Sequence, residues 1–256
     1  MALVKNDLPI LEYDTAPQSV LMPNRGEPYS FPPRAVFAFL GDVVDRYATE
    51  ANCATIGEFF TITKLFPIYR AQYNGCDICL CQAPLGAPAA AQLLDFLIGY
   101  GVRQIIAVGS CGALRAIPEN EWLVPTAALR DEGTSYHYLP PARTIDLNPR
   151  GVAAITRVLE GRGIAYERCL TWTTDGFFRE TPDLVAYRRT EGCSVVEMEC
   201  AALAAVAEFR EALFAQLLFT ADTLADAGAY DERDWGAASM PLALELALET
   251  ASHVAD

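Results

Sequence analysis

The sequence predicts an α/β protein, a sheet layered by helices, on three observations. Apolar β-rich runs alternate with longer helical patterns. The helical patterns carry their own start and stop residues, and the chain's 256 residues suit one large core. At this length roughly 75% of the unfolded surface can be buried, so a deep and dry site is attainable.

The stretch before Pro33 holds five prolines and little periodicity, and predicts an extended arm over residues 1–33, laid on the body or on a neighbouring subunit. Residues 34–256 then form a single domain, since no repeat, charge block or low-complexity linker divides them. Strands are expected at Ala35–Leu40, Phe59–Leu65, Ile68–Tyr73 and Asp77–Gln82. The last two are joined by Tyr73-Asn74-Gly75-Cys76, because Asn-Gly readily takes the positive φ angles of a type I′ turn. A helix runs from Pro88 to Tyr100 and stops at Gly101; strands Gln104–Val108 and Trp122–Pro125 follow. Asn148 caps a helix that has Pro149 at its first position and Gly163 beyond its end. Strand Arg168–Thr173 precedes a helix opened by Thr181-Pro182 and closed by Gly192. Strand Ser194–Glu197, helix Met198–Phe209, strand Phe214–Phe219 and helix Met240–Val254, capped by Ser239, complete the set.

Composition narrows the function. With 19 basic against 33 acidic residues the net charge is −14, which speaks against nucleic acid as a partner. No apolar run reaches the ~20 residues of a membrane span, and Met-Ala-Leu-Val-Lys-Asn-Asp has no signal-peptide core, so no membrane contact is expected. Eight cysteines scattered through apolar segments look like reduced core residues of a cytoplasmic protein. Two histidines and an unmatched Cys76-x-x-Cys79 make no metal-ligand set, so no metal is expected.

Three apolar strands end in groups suited to chemistry. Ile105–Val108 runs into Gly109-Ser110-Cys111-Gly112, whose backbone N–H groups can converge on an anion, although such glycine turns are also ordinary structure. Val195-Val196 leads into Glu197-Met198-Glu199. The carboxylates either complement a helix dipole or, buried between Val195-Val196 and Ala201–Ala207, await ligand hydroxyls. Leu217-Leu218-Phe219 leads to Thr220-Ala221-Asp222, whose acid is either a turn residue or a buried general acid. Polar groups at the carboxyl ends of neighbouring strands mark a ligand crevice in α/β sheets.

Taken together, Val-Gly-Ser-Cys-Gly-Ala at 108–113, Val-Glu-Met-Glu at 196–199 and Thr-Ala-Asp at 220–222 resemble, in order and spacing, the nucleoside phosphorylase family. That family includes uridine phosphorylases, hexameric purine nucleoside phosphorylases and methylthioadenosine nucleosidases. Lys5-Asn6-Asp7, Gly41-Asp42, Arg130 to Pro140 and Thr174-Asp175 extend the match.

The resemblance implies a three-layer α/β/α sandwich around a mixed, partly barrel-like sheet, and homodimers that often assemble into hexamers as trimers of dimers. It implies cleavage of a ribosyl N-glycosidic bond by phosphate as co-substrate, with no further cofactor. Glu199 would accept from the ribose hydroxyls, with Met198 beneath the sugar and Glu197 beside it, while Asp222 would serve a departing purine. Phe178 would lie against the base, unless it simply packs in the core, and Gly109 would line the nucleoside site. Arg179-Glu180-Thr181-Pro182-Asp183 stands in place of the uracil-reading Gln and Arg, which turns the base pocket toward purines, whereas the N-terminus and Asp131–Pro140 look closer to uridine phosphorylase and leave uridine as the alternative.

Phosphate would be held by Gly41, Arg46, Lys64 and Ser110, with departures from the family pattern. Ala107 replaces an arginine. The loop Gly41-Asp42-Val43-Val44-Asp45-Arg46 is one residue longer than the family's, so Arg46 matches only if it bulges. Lys64 stands where a neighbouring subunit offers an arginine. The family's N-terminal histidine for the ribose 5′-hydroxyl is missing, leaving His137 as a substitute or as an ordinary loop residue. Two rival readings remain: a nucleosidase in which Asp42 or Asp45 activates water, and a nucleoside-binding protein without turnover.

Overall fold

The computed structural model describes residues 3–226 and 228–254. Among these residues ten strands form one mixed sheet: β1 Arg34–Phe39, β2 Ala54–Phe60, β3 Leu65–Tyr73, β4 Cys76–Gln82, β5 Gln104–Ala113, β6 Trp122–Asp131, β7 Thr144–Asp146, β8 Tyr166–Thr174, β9 Cys193–Glu197 and β10 Leu213–Thr223. Six α-helices accompany them among the described residues: α1 Val43–Glu50, α2 Ala87–Gly99, α3 Pro149–Gly161, α4 Pro182–Thr190, α5 Cys200–Phe209 and α6 Met240–His253.

Strands β5, β10, β6, β8 and β9 close on themselves as a five-stranded barrel, because β9 returns to pair with the end of β5 through Gly112↔Val196. Outside the barrel the sheet continues from β5 through β1, β4 and β3 to β2. The predicted α/β class and partly barrel-like sheet are what the chain forms. Closure buries β10 along its length, and the parallel pairing sets its C-terminal end beside that of β5.

Local chemistry explains most boundaries. Asn74 and Gly75 take φ of 48° and 76°, as a type I′ turn requires, and join β3 to β4 with Tyr73 opposite Cys76. The Asn148 side chain accepts from Arg150 N–H at 3.0 Å, and that of Thr181 from Leu184 N–H at 3.4 Å.

Five expectations need correction. The glycine turn expected after Val108 does not form, because β5 continues through Gly109-Ser110-Cys111-Gly112 to Ala113, paired there with β10. The strand expected over Phe59–Leu65 is instead a turn between β2 and β3, in which the Thr61 hydroxyl accepts from Lys64 N–H and donates to Lys64 C=O. The segment read as a bulged loop at Gly41–Arg46 becomes regular helix from Val43, so Arg46 lies in α1. Ser239 does not cap α6; its hydroxyl turns to Asn120 Oδ1 at 2.9 Å. Finally α5 begins at Cys200, because Glu197 reaches forward and accepts from the N–H groups of Glu199 and Cys200.

The arm lies on the body. Phe31 N–H donates to Tyr100 C=O, Arg210 donates to Pro17 C=O, and Tyr29 and Phe31 pack against Phe96 and Tyr100 of the α2 region. All eight cysteines are free thiols, six of them buried. Among the described residues no helix is long and apolar enough to cross a membrane.

Candidate active site

The site begins where β5 changes partners. Strand β1 pairs with β5 up to Phe39↔Gly109, and β9 takes over only at Gly112. Between them, on that edge, Ser110 and Cys111 have no ladder partner, and Ser110 is exposed in an otherwise buried strand. Unpaired backbone at a strand's carboxyl end is where an open α/β sheet takes its ligand. Two glycines make the crossing. A Cβ on Gly109 would stand 2.9 Å from Phe39 Cβ, and one on Gly112 would stand 2.9 Å from Leu224 and 3.1 Å from an Asp222 carboxylate oxygen.

The carboxylates after β9 have divided their work. Glu197 is buried, with one oxygen accepting from Thr173 Oγ1 at 2.6 Å and Thr171 Oγ1 at 3.3 Å, and the other from Glu199 N–H at 2.8 Å and Cys200 N–H at 2.6 Å. Burial still holds its pKa above the ordinary range, against the pull of those donors. It therefore anchors the β9–α5 junction from below. Glu199, 5% exposed, reaches instead to the N-terminus of α2, where Gly86 N–H donates to it at 2.6 Å. Burial and the neighbouring Glu197 charge push its pKa up to about 8. A buried carboxylate of this kind gains by meeting hydroxyl donors. Met198, between the two, is partly exposed.

A cavity of about 580 Å³ opens beside β10, lined by Phe177, Phe178, Glu180, Asp222, Tyr230 and Trp235 among others. Phe178 is 92% exposed and meets Phe177 edge to face at 5.0 Å, so core packing does not explain it. Asp222 is buried, which raises its pKa against the pull of the Tyr230 hydroxyl and the Arg233 charge. Burial, with Asp222 adding its charge, pushes Glu180 to about 7. A group that keeps its proton near neutrality inside an aromatic pocket can donate it to a leaving base.

The residues assigned to phosphate are not gathered in one cavity. Gly41, with φ of 57°, and Lys64 line a larger groove of about 1140 Å³ that also holds Phe39, Phe60, Gln82 and Leu85. Lys64 Nζ donates to Gln82 and sits 5.1 Å from the Phe66 ring centre. Arg46 turns back to Asp42 at 3.5 Å, and Asp45 accepts from the Tyr69 hydroxyl at 2.9 Å. His137 is exposed at the end of the short turn Thr134–His137. In the neighbouring segment Arg130 is structural: it donates to Ser135 Oγ and Pro140 C=O and stacks on Tyr136.

Sequence reasoning missed Gly86, Glu180, Tyr230 and Trp235 as site residues. Only Glu180 carried a signal, being two residues after Phe178 in the segment that departs from uridine phosphorylases. Gly86 and Tyr230 are brought in by tertiary contact across 113 and 8 residues, to Glu199 and Asp222.

Comparison with known proteins identifies the family. Residues 33–254 match the family model of the phosphorylase superfamily. A guanosine phosphorylase from Halorubrum lacusprofundi is 28% identical over 180 residues, 70% of this chain and 73% of that protein. A uridine phosphorylase from Haemophilus influenzae is 29% identical over 122 residues, and the chain spans about half of its length, 48%. A crystal structure of uridine phosphorylase from Vibrio fischeri ES114 superposes with a TM-score of 0.74 at 25% identity, over 91% of this chain and 95% of that one.

Proposed function

Since the chain belongs to the phosphorylase superfamily, we propose that it is a nucleoside phosphorylase that takes purine nucleosides. The observation that carries this reading is a pair of buried carboxyls, Glu199 two residues past β9 and Asp222 near the end of β10, after the strands that pair with the C-terminal part of β5 on its two edges. Glu199 accepts from the ribose hydroxyls and supplies negative charge as the sugar gains oxocarbenium character. Met198 packs under the sugar, Gly109 lets the strand approach it, and Glu197 keeps Glu199 in register. Phe178 covers the base.

In the reaction a phosphate oxygen bonds to C1′ while the C1′–N9 bond breaks, and its electron pair passes into the purine. Asp222 gives its proton to the ring, and the products are ribose 1-phosphate and the free base. Ser110, with the β5 backbone between the β1 and β9 pairings, holds phosphate within the subunit. Lys64 acts from a neighbouring subunit, with Gly41 beside it and Arg46 free to leave Asp42 for phosphate. Support for such an assembly comes from Phe60, Ile62 and Leu85, which are 68%, 103% and 77% exposed around the groove that holds Lys64. The protein is then a cytoplasmic homodimer or a hexamer of three dimers, with phosphate as co-substrate and no cofactor.

Hydrolysis has weaker support, because Asp45 is bound to Tyr69 and Asp42 is exposed beside Arg46, so neither is aimed at a water over the ribose. A panel of nucleosides incubated with and without phosphate tests the proposal. Ribose 1-phosphate formed only with phosphate is the expected result; free ribose at equal rates in phosphate-free buffer overturns it.

A further inference from the structure

Trp235 stands in strained backbone on the wall of the cavity beside β10. Its φ is 53°, in the left-handed region that a bulky side chain rarely occupies, and Arg233 and Gly236 of the same turn take 52° and 68°. Position 236 needs glycine, because a Cβ there would stand 2.7 Å from the Phe219 ring. Distant groups hold the turn in this shape. One Glu119 carboxylate oxygen accepts from Asp234 N–H at 3.0 Å and Gly236 N–H at 2.8 Å, and the Arg233 guanidinium donates to the carbonyls of Ala221 and Ile117 at 3.1 and 2.7 Å. Strain that is over-determined in this way collects at ligand sites. The turn does not hide the indole: Trp235 is 45% exposed, and Tyr230 and Phe178 on the same cavity are 55% and 92% exposed. A cavity of about 580 Å³ suits a drug-sized ligand, yet Glu199, Met198, Gly109 and Ser110, which the proposed reaction assigns to sugar and phosphate, do not line it. A bare purine fills only part of that volume, and exposed aromatic surface is left for a further apolar group.

We infer that Trp235 and Phe178 form an apolar subsite beyond the purine, and that the enzyme prefers adenosines alkylated on the exocyclic amine. The inference rests on the purine phosphorylase reading above and deepens it. With the ribose at Glu199 and the imidazole side of the base turned to Asp222, the six-membered ring is left to face the aromatic wall. A single alkylation of the amine keeps one N–H as a donor and adds a group that the exposed rings can cover. Because Glu119 and Arg233 fix the turn before a ligand arrives, the indole meets that group with little ordering to be done. Glu119 is then a positioning residue, since it holds the turn and not the ligand.

The test is kcat/KM at saturating phosphate for N6-benzyladenosine and adenosine, in the wild type, Trp235→Ala and Trp235→Phe. Calorimetric binding of both nucleosides in phosphate-free buffer is measured alongside. The benzyl-to-adenosine ratio should exceed one in the wild type. It should fall by about 10–10²-fold in Trp235→Ala, the range for burying one aromatic ring, and recover most of that in Trp235→Phe. Glu119→Ala should lower the same ratio, and Glu119→Gln, which keeps an acceptor oxygen, should restore it; these two variants read the ratio if Trp235→Ala does not fold. A structural role predicts parallel losses on both substrates. That result, or a wild-type ratio at or below one, overturns the inference while phosphorolysis of adenosine still supports the phosphorylase reading. Tighter, Trp235-dependent binding of N6-benzyladenosine without any phosphorolysis would instead refute the phosphorylase reading and leave this subsite standing.

Discussion

Glu199 is held against its own ionisation, at 5% exposure with Glu197 two residues away, and one backbone N–H at 2.6 Å compensates only in part. Replacing it by Gln keeps the shape and removes the charge that grips the sugar. Turnover of purine nucleosides should then fall by about 10–10²-fold, the range of a charge-assisted hydrogen bond, while the melting temperature at pH 8 holds or rises. Loss of activity together with a lower melting temperature would make Glu199 a structural cap of α2. Asp222 is tested differently, since its task depends on the leaving group. Asp222→Asn should slow guanosine or inosine by about 10²–10⁴-fold, and barely affect a nucleoside whose base leaves without a proton. Equal losses on both substrates would assign Asp222 to holding the turn with Tyr230.

At the scale of elements, the approach of β5, β9 and β10 determines how the carboxyls meet. A methyl at Gly112 would stand 2.9 Å from Leu224, 3.0 Å from Val196 and 3.1 Å from Asp222, three groups that belong to the barrel seam or to its acid. Gly112→Ala should therefore cost about 1–3 kcal/mol of stability and also lower activity in the protein that remains folded. Gly151→Ala serves as the control: its Cβ would stand 2.7 Å from Ala215 Cβ, between α3 and β10 and away from the cavity. It should destabilise without changing kcat. The arm follows the same logic of packing. Phe31 is 5% exposed and stacks on Tyr29 at 5.5 Å, so Phe31→Ala should cost about 3–5 kcal/mol in chemical denaturation and leave KM for the nucleoside unchanged.

Across the whole molecule, buried acids set the response to pH. Glu132, Glu180, Glu197, Glu199 and Asp222 all have pKa values raised by burial, so the folded protein binds their protons more tightly than the unfolded chain. The stability they contribute is fully present below the ordinary carboxylate range and is lost as pH rises, through about 7 for Glu180 and about 8 for Glu199. Glu191, lowered by Arg188 and Arg143, opposes this only on the acid side, where its contribution is lost as pH falls. The melting temperature should thus decline from about pH 5 to pH 8, and Glu199→Gln should flatten the decline. An unchanged slope in that variant would mean that Glu199 is already ionised in the folded protein.

The α/β class, the helix starts at Asn148 and Thr181, the Asn74-Gly75 turn and the three polar strand ends were legible in the sequence, because each depends on residues a few positions apart. Helix α1 was not, since the pattern Gly41-Asp42-Val43-Val44-Asp45-Arg46 was measured against a loop; burial of Val43 and Val44 turns it into helix. Nor was the turn at Thr61–Lys64, which a side-chain hydroxyl closes inside an apolar run. By itself the sequence determined which residue types could carry the chemistry and the order in which they occur. Only the tertiary structure decided their surroundings: the fold buried both glutamates, gave Glu197 the N–H groups of Glu199 and Cys200 and Glu199 that of Gly86, and brought Glu180 near Asp222. Those surroundings depend on which donors approach a carboxylate from distant parts of the chain, and no local pattern encodes that approach.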